Sequence, residues 1–374
     1  MFTAFDYAMM ARALALAERG RCITTPNPFV GCVIVKHGRI IGEGFTQAGG
    51  RPHAEAVALA ACSESAEDAT VYSTLEPCAL HPKSRGPACS DLLVKAKVAR
   101  VISALHDPFD GVNGAGHDNL RAAGIRVDMG LMEAEAARGL KAFLSRVTRG
   151  RPWLTLKVAA TLDGKTALAN GVSKWITSAE SRRDVHRMRA EACAVMTGIG
   201  TVIVDDPELT VRDVACERQP LRVLLDSRLD IGDHARILQG GNTLVATAVT
   251  SGERMAALRA RDIEVMTVPT EAIKGKVDLE QMMRQLAARG LNSVMVETGA
   301  KLNASLLAAG VVDEIVAYLA PSIFGDSARG LFALPELKGL DQRVRLAFSD
   351  VRQIGPDLRI TAQVHQATIV EDSR

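Results

Sequence analysis

From Trp153 onward the sequence alternates short apolar runs with amphipathic stretches, and that rhythm leaves few folds open to the second half of the chain. The runs at Trp153 to Ala159, Ala192 to Thr197, Leu221 to Leu225, Thr243 to Ala248, Glu264 to Val268, Ser293 to Val296 and Glu314 to Leu319 are predicted as strands. Helices fit between several of them. Thr177-Ser178-Ala179-Glu180 has the capping-box pattern ahead of one, and Asp278-Leu279-Glu280-Gln281 ahead of another that stops at Gly290. Strands and helices in turn predict a mainly parallel α/β sheet. In such a sheet ligands bind beyond the carboxyl ends of the strands, where Asp163-Gly164, Thr197-Gly198-Ile199-Gly200-Thr201, Asp226-Ser227 and Glu297-Thr298-Gly299 gather polar residues and glycines. Glycine lets the backbone come close to a phosphate, and Thr201 is placed to open a helix whose N-terminus attracts anions. Gly198-Ile199-Gly200 lacks the third glycine of a Rossmann fingerprint, so plain strand-joining turns remain the alternative for any one cluster.

The first half ends where a helical stretch from Glu133 to Arg146 meets a basic Gly/Pro turn, Arg149-Gly150-Arg151-Pro152, so the expected domains are 1–150 and 151–374. Within it, His53-Ala54-Glu55 is followed by Pro77-Cys78 and by Cys89. One imidazole and two thiolates supply three zinc ligands and leave a fourth position for water, whose pKa the metal lowers towards neutrality. Glu55, at the expected start of the helix through Ala56-Val57-Ala58-Leu59-Ala60, reaches that water without binding the metal and is placed to carry its proton. Such a division of labour belongs to zinc-dependent nucleobase deaminases. Cys78 follows the apolar run Val71-Tyr72-Ser73-Thr74-Leu75 and then Glu76-Pro77, where a strand hands over to a loop or helix. A helix N-terminus at that point favours a thiolate. The alternative is a structural zinc site, which usually closes on four protein ligands with no free glutamate beside it.

Composition bounds these readings. At 374 residues the chain is long enough for two separate cores. A net charge of +2, aromatics at 4% and the lack of a long Lys/Arg run speak against nucleic acid and for a small-molecule substrate. The N-terminus has no basic start, and Phe5, Met9, Ala13 and Leu16 fall at helical spacing, which predicts an amphipathic helix and no signal peptide. No apolar run is long enough to span a bilayer, so no membrane partner is expected. Seven cysteines at irregular spacing suit a reducing cytoplasm better than a disulfide framework. A homo-oligomer is expected.

Thr25-Pro26-Asn27-Pro28-Phe29-Val30-Gly31, the strand Cys32-Val33-Ile34-Val35, the His37-Gly38 turn and Ile40-Ile41-Gly42-Glu43-Gly44-Phe45 add context to His53-Ala54-Glu55 and Thr74-Leu75-Glu76-Pro77-Cys78. In the second half Leu156-Lys157 through Thr161-Leu162-Asp163-Gly164, Ser173-Lys174-Trp175-Ile176-Thr177-Ser178, and Gly200-Thr201 through Asp205-Asp206-Pro207 to Leu209-Thr210-Val211-Arg212 continue the pattern. Over nearly its whole length the chain resembles the bifunctional riboflavin-biosynthesis deaminase/reductase family. That resemblance implies a cytidine-deaminase-like zinc domain followed by a dihydrofolate-reductase-like domain. It implies His53, Cys78 and Cys89 as zinc ligands, Glu55 as proton shuttle and Asn27 in the pyrimidine pocket. It further implies NADPH held by Ala160, Trp175, Thr177, Thr201, Asp205, Ser227 and Gly299, and the ribose phosphate held by Ser173, Arg189, Leu209, Arg212 and Glu297.

The implied chemistry is hydrolytic removal of an amino group from a diaminopyrimidinone ribosyl phosphate, then hydride transfer to C1′ of the opened ribose. Arginine forks at 189 and 212 suit a phosphate, with a solvated surface arginine as the alternative for each. Trp175 is read as cofactor contact or plain core. Lys157 and Asp163 either assist proton transfer or anchor the strand-to-loop turn, and no general acid is assigned. The chain departs from the family in three places. Its Cys78 to Cys89 loop is longer, leaving His81 as an alternative ligand; Thr46 stands where many relatives have histidine; and Leu140-Lys141-Ala142-Phe143 lacks the family's pattern, so no function is carried to it.

Overall fold

Thr3 opens the first helix, α1 (Ala4–Ala17). Its hydroxyl accepts from the Asp6 amide at 3.1 Å while the Asp6 carboxylate accepts from the Thr3 amide at 2.8 Å, a closed capping box. The fully buried residues of α1 are Asp6, Met10, Ala13 and Ala17; of the expected stripe, Ala13 is among them, Met9 and Leu16 pack partly buried against the core, and Phe5 is exposed. Burial of the aspartate has a polar cause. Tyr72 donates its hydroxyl to Asp6 at 2.8 Å and Arg100 donates at 3.1 Å, so the carboxylate faces the sheet and turns the helix with it. These contacts come from a computed structural model, which describes residues 1–79, 86–270 and 275–365; the chain divides into two compact units, Met1–Arg151 and Pro152–Arg374.

In the first unit, β1 (Gly31–Lys36) and β2 (Arg39–Phe45) form a hairpin around His37-Gly38, both at positive φ. Helix α2 (Ala54–Ala60) then crosses to β3 (Thr70–Ser73), α3 (Cys89–Lys95) leads to β4 (Arg100–Ser103), and α4 (Ala115–Ala122) leads to β5 (Arg126–Met129). The sheet order is β2-β1-β3-β4-β5, antiparallel through β3 and parallel beyond it. Gly44 lets α2 seat tightly on the sheet, since a Cβ there would meet the Ala54 carbonyl oxygen at 2.5 Å. Helix α5 (Glu133–Arg149) closes the unit and stops at Gly150, which takes the left-handed conformation at φ 65°.

The second unit starts with β6 (Trp153–Thr161), the short β7 (Lys165–Ala167) and α6 (Ala179–Glu191). Next come β8 (Ala194–Gly198), α7 (Ile199–Asp205), β9 (Leu221–Leu225), β10 (Thr243–Thr247), α8 (Glu253–Arg259), β11 (Glu264–Thr267) and α9 (Leu279–Ala288). It ends with β12 (Ser293–Glu297), α10 (Ala300–Ala308), β13 (Glu314–Ala320), β14 (Arg329–Gly330), β15 (Arg345–Ile354) and β16 (Asp357–His365). Nine strands form one sheet in the order β11-β10-β9-β8-β12-β6-β13-β16-β15, parallel from β11 to β13. All seven expected strands are in it, with ends shifted by one or two residues. The β15–β16 hairpin adds an antiparallel edge that the apolar rhythm does not announce, because β15 is exposed on both faces.

Both predicted caps of this unit are half-built. Ser178, not Thr177, caps α6, accepting from the Ser181 amide at 3.2 Å; Asp278 caps α9 through the Gln281 amide at 2.9 Å, while its own amide goes to Val268. Leu154, Leu156, Met196, Val223, Leu244 and Val296 pack the core of the parallel strands. Beside that core Tyr318 donates to Asp184 of α6 at 2.6 Å, and Arg359 of β16 donates to the same oxygen at 3.0 Å. Among the described residues no helix is long and apolar enough to cross a membrane.

Candidate functional site

His53 is the extended residue immediately before α2, Glu55 lies in that helix's first turn, Cys78 sits in the loop after β3, and Cys89 is the first residue of α3. The fold brings the three ligand candidates together. Cys78 Sγ and Cys89 Sγ each lie 3.4 Å from His53 Nδ1, and all three atoms fall within 4.8 Å of one another. Tetrahedral zinc with bonds of about 2.0–2.1 Å to nitrogen and about 2.3 Å to sulfur gives N···S edges of roughly 3.5 Å, so the residues fit that ion.

Of the two readings of Cys78, loop or helix start, the structure gives the loop. The N-terminus that meets its sulfur is that of α3, whose Cys89 amide donates to Cys78 Sγ at 3.3 Å. Hydrogen bonding from the Cys89 thiol, from His53 and from that amide pulls the Cys78 thiol down to about 4 against the cost of burial. Sharing that proton and being buried push the Cys89 thiol up.

Glu55 is 3% exposed, and burial raises its carboxyl above the ordinary range. Ser73 donates its hydroxyl to Glu55 Oε1 at 3.1 Å. Asn27 lies against the segment leading to His53: its amide nitrogen faces the Gly49 carbonyl at 3.4 Å, and a Cβ at Gly50, whose φ is 85°, would strike it. Thr46 is buried, its hydroxyl accepting from the Val30 amide at 3.0 Å, so it pins the strand and offers nothing to a ligand. A cavity of about 340 Å³ opens beside His53 and Cys89. His81 lies outside the described residues.

A buried carboxylate that sequence reading missed stands two residues before Cys78. Glu76 accepts from the amides of Asp107, Gly114, Gly116 and His117 at 3.0–3.3 Å and from His106 Nδ1 at 2.9 Å. Glu76, His106 and His117 present three ligand-type atoms close together, but the carboxylate is already saturated by amides and acts as a clamp on the 106–117 loop. Gly116 completes it, because a Cβ there would overlap the Pro77 carbonyl. The glycines at 111, 114 and 116 were the signal for so tight a loop.

In the second unit the four polar clusters follow β6, β8, β9 and β12, which are near neighbours in the parallel part of the sheet, so they share one end of it. At that end Arg189 grips Glu297 with two donors at 2.5 and 3.0 Å and gives a third to the Thr210 carbonyl at 3.0 Å. Lys157 Nζ stands 4.0 Å from the same carboxylate. Burial alone would raise the Glu297 pKa, but Arg189 and Lys157 bring it down to about 2. Burial lowers that of Lys157, partly countered by Glu297. Arg189 is therefore neither a solvated surface residue nor a free phosphate fork. Arg212 is half exposed, with Nη1 on Glu208 at 2.8 Å and on Thr210 at 3.1 Å.

The remaining predicted residues divide by exposure. Trp175 is 72% exposed beneath the Arg182 guanidinium at 4.5 Å, which rules out the core reading. Thr177 accepts from Arg182 through its carbonyl at 2.7 Å, Ser173 lies in the same partly exposed turn, and Asp205 pairs with Lys174 at 3.1 Å. Ala160 and Leu209 are buried, Leu209 at φ 56°, so each offers a ligand backbone only. Thr201 lies inside α7, whose cap is Gly198, and so does not open that helix; Gly299 occupies the cap of α10, and the Ser227 carbonyl accepts from the Ala248 amide at 3.1 Å. Asp163 accepts from Thr161 Oγ1 and from the amides of Phe324 and Gly325, which makes it the anchor of its turn.

Comparison with known proteins matches residues 3–105 to the cytidine and deoxycytidylate deaminase zinc-binding region and residues 152–360 to the RibD C-terminal domain. The chain is 44% identical over 367 residues to the riboflavin biosynthesis protein RibD of Escherichia coli, spanning 94% of this chain and 98% of that protein. The solved structure of Acinetobacter baumannii RibD superposes with a TM-score of 0.88 at 38% identity, covering 97% of this chain and 99% of that one. A Thermotoga maritima diaminohydroxyphosphoribosylaminopyrimidine deaminase/5-amino-6-(5-phosphoribosylamino)uracil reductase gives 0.84 at 32% identity, with 96% and 99% covered.

Proposed function

Because the chain belongs to the RibD family of bifunctional riboflavin-biosynthesis deaminase/reductases, with a cytidine-deaminase-like domain and a dihydrofolate-reductase-like domain, we propose how its residues divide the work. Residues 1–150 would deaminate 2,5-diamino-6-(5-phosphoribosylamino)pyrimidin-4(3H)-one, and residues 151–374 would reduce its ribosyl group with NADPH to 5-amino-6-(5-phosphoribitylamino)uracil. The convergence of His53 with Cys78 and Cys89 beside a buried Glu55 carries the first assignment.

Zinc held by those three residues supplies the Lewis acidity that makes water nucleophilic near neutral pH. Glu55 takes a proton from the water that adds to the amino-bearing carbon and gives it to the adjacent ring nitrogen, then carries the proton of the new hydroxyl to the departing amino group; the C–N bond breaks, ammonia leaves and a carbonyl remains. Its raised pKa suits both halves of that exchange. Ser73 fixes the carboxylate's orientation. Asn27, beside the segment that ends in His53, would hold the pyrimidine.

In the second unit NADPH supplies the hydride. Ala160, Trp175, Thr177, Thr201, Asp205, Ser227 and Gly299 would hold the cofactor, and Ser173, Leu209, Arg212 and Glu297 the ribosyl phosphate, with Arg189 positioning Glu297. Arg212 is then the phosphate cation of this unit, since its Nε and Nη2 have no protein partner among the described residues. An open edge strand with Phe348 and Val351 exposed supports the homo-oligomer, and seven free cysteines support a cytoplasmic setting. The test follows ammonia release from the diaminopyrimidinone substrate, then NADPH oxidation. Ammonia without NADPH, followed by substrate-dependent oxidation once it is added, is expected; folded zinc-loaded protein giving neither would overturn the assignment.

A further inference from the structure

We propose that Arg51 binds the phosphate of the deaminase substrate and sets that site's preference for phosphorylated over free ribosides, an inference that rests on the substrate class assigned above. The cavity beside the metal centre has His53 and Cys89 in its wall, and its other side chains include Pro52, Ala56, Pro87 and Leu92. A phosphate dianion does not enter such a surface without a counter-charge. Among the described residues, Arg51 is the lining side chain that carries a permanent one.

Among the described residues the guanidinium is also uncommitted. Seven other arginines of Met1–Arg151, among them Arg12, Arg21, Arg100 and Arg126, are matched to carboxylates; Arg51 has no ion pair among the described residues. Its Nη1 reaches over residue 86, where a Cβ would stand 3.2 Å away, so Gly86 leaves the fork open at the mouth of the cavity. The base of the side chain is held in place, because the next residue, Pro52, accepts from the Gln47 amide at 3.0 Å and is followed directly by the ligand His53. Charge thus sits beside the metal centre and off it, where a group at the far end of a ribosyl substituent would arrive. The bidentate geometry of arginine is matched to phosphate, which lysine would meet only as a point charge.

The test compares ammonia release by the full-length, zinc-loaded protein from the ribosyl phosphate and from its dephosphorylated riboside, in wild type, Arg51→Ala and Arg51→Lys. Wild type should favour the phosphorylated substrate. In Arg51→Ala the ratio of the two kcat/KM values should fall about 10- to 100-fold, mainly through KM for the phosphorylated form, with partial recovery in Arg51→Lys. Inorganic phosphate should compete with the phosphorylated substrate in wild type and less in Arg51→Ala. An equal loss on both substrates would make Arg51 a structural residue, and an unchanged ratio would remove it from recognition; either result overturns the proposal while leaving the deaminase reading intact. Wild type that releases no ammonia from either compound would overturn both.

Discussion

The candidate metal site of the first unit draws its residues from two helix starts and one loop between His53 and Cys89, whereas the candidate cofactor residues of the second lie mostly at and after strand ends between Ala160 and Gly299. Their electrostatics run in opposite directions. The first site leaves its ionisable groups without ion pairs to Lys or Arg among the described residues: a low-pKa thiol, a carboxyl raised by burial and, at the mouth, Arg51 with no carboxylate partner. The second has already paired its charges, with Glu297 held by Arg189, Asp205 by Lys174 and Glu208 by Arg212. A site built to hold a cation needs unmatched donors, while one built to hold a large cofactor needs fixed geometry and open surface.

Removing zinc with a chelator is the sharpest test of this contrast: ammonia release should vanish while NADPH oxidation on already deaminated substrate persists. Loss of both would show that the two sites are not independent. Glu55→Gln should lower deamination about 10³-fold with zinc content retained, by metal analysis alongside turnover.

In the second unit Glu297→Gln leaves Arg189 buried without its partner and should cost about 3–5 kcal/mol in urea unfolding at neutral pH. The sign with pH is fixed. Glu297 titrates at about 2 when folded against 4.5 ordinarily, so its stabilisation is complete above the ordinary value and is lost as pH falls through the folded one. The gap between wild type and Glu297→Gln should therefore narrow by roughly 1 kcal/mol from about pH 5 to about pH 3.5. A gap independent of pH would mean that the carboxylate matters only for its shape.

Smaller effects separate exposure from burial. Trp175→Ala should weaken NADPH binding about 3- to 10-fold yet shift stability by less than about 0.5 kcal/mol, because the ring is exposed. Ser178→Ala removes the cap of α6 and should cost about 1 kcal/mol in thermal unfolding with no change in zinc content.

The same contrast governs what the sequence discloses. His53, Glu55, Cys78 and Cys89 are legible because the donor atoms that a metal site would demand leave a motif in short segments. The seven parallel strands are legible because burial makes most of them short apolar runs, continuous in β8 and β10 and alternating in β6. The β15–β16 hairpin is not, since exposure removes that signal. Nor is the Arg189–Glu297 pair, whose members stand 108 residues apart, or the Glu76 clamp, which answers to backbone amides that have no sequence identity. The apolar stripe of α1 is legible at Met9, Ala13 and Leu16, while the burial of Asp6 is not, since it depends on Tyr72 and Arg100.

That aspartate has a counterpart. Asp6, Tyr72 and Arg100 in one unit and Asp184, Tyr318 and Arg359 in the other repeat one device: a helix carboxylate takes a phenol from a strand and a guanidinium from the strand beside it. Burial and the carboxylate hold both phenols protonated well past the ordinary tyrosine range. The chain has only three tyrosines, and the third, Tyr7, is exposed on α1. Each unit thus contains one locked chromophore, and tyrosinate absorbance in alkali becomes a reporter that rises when either half of the protein lets go of its helix.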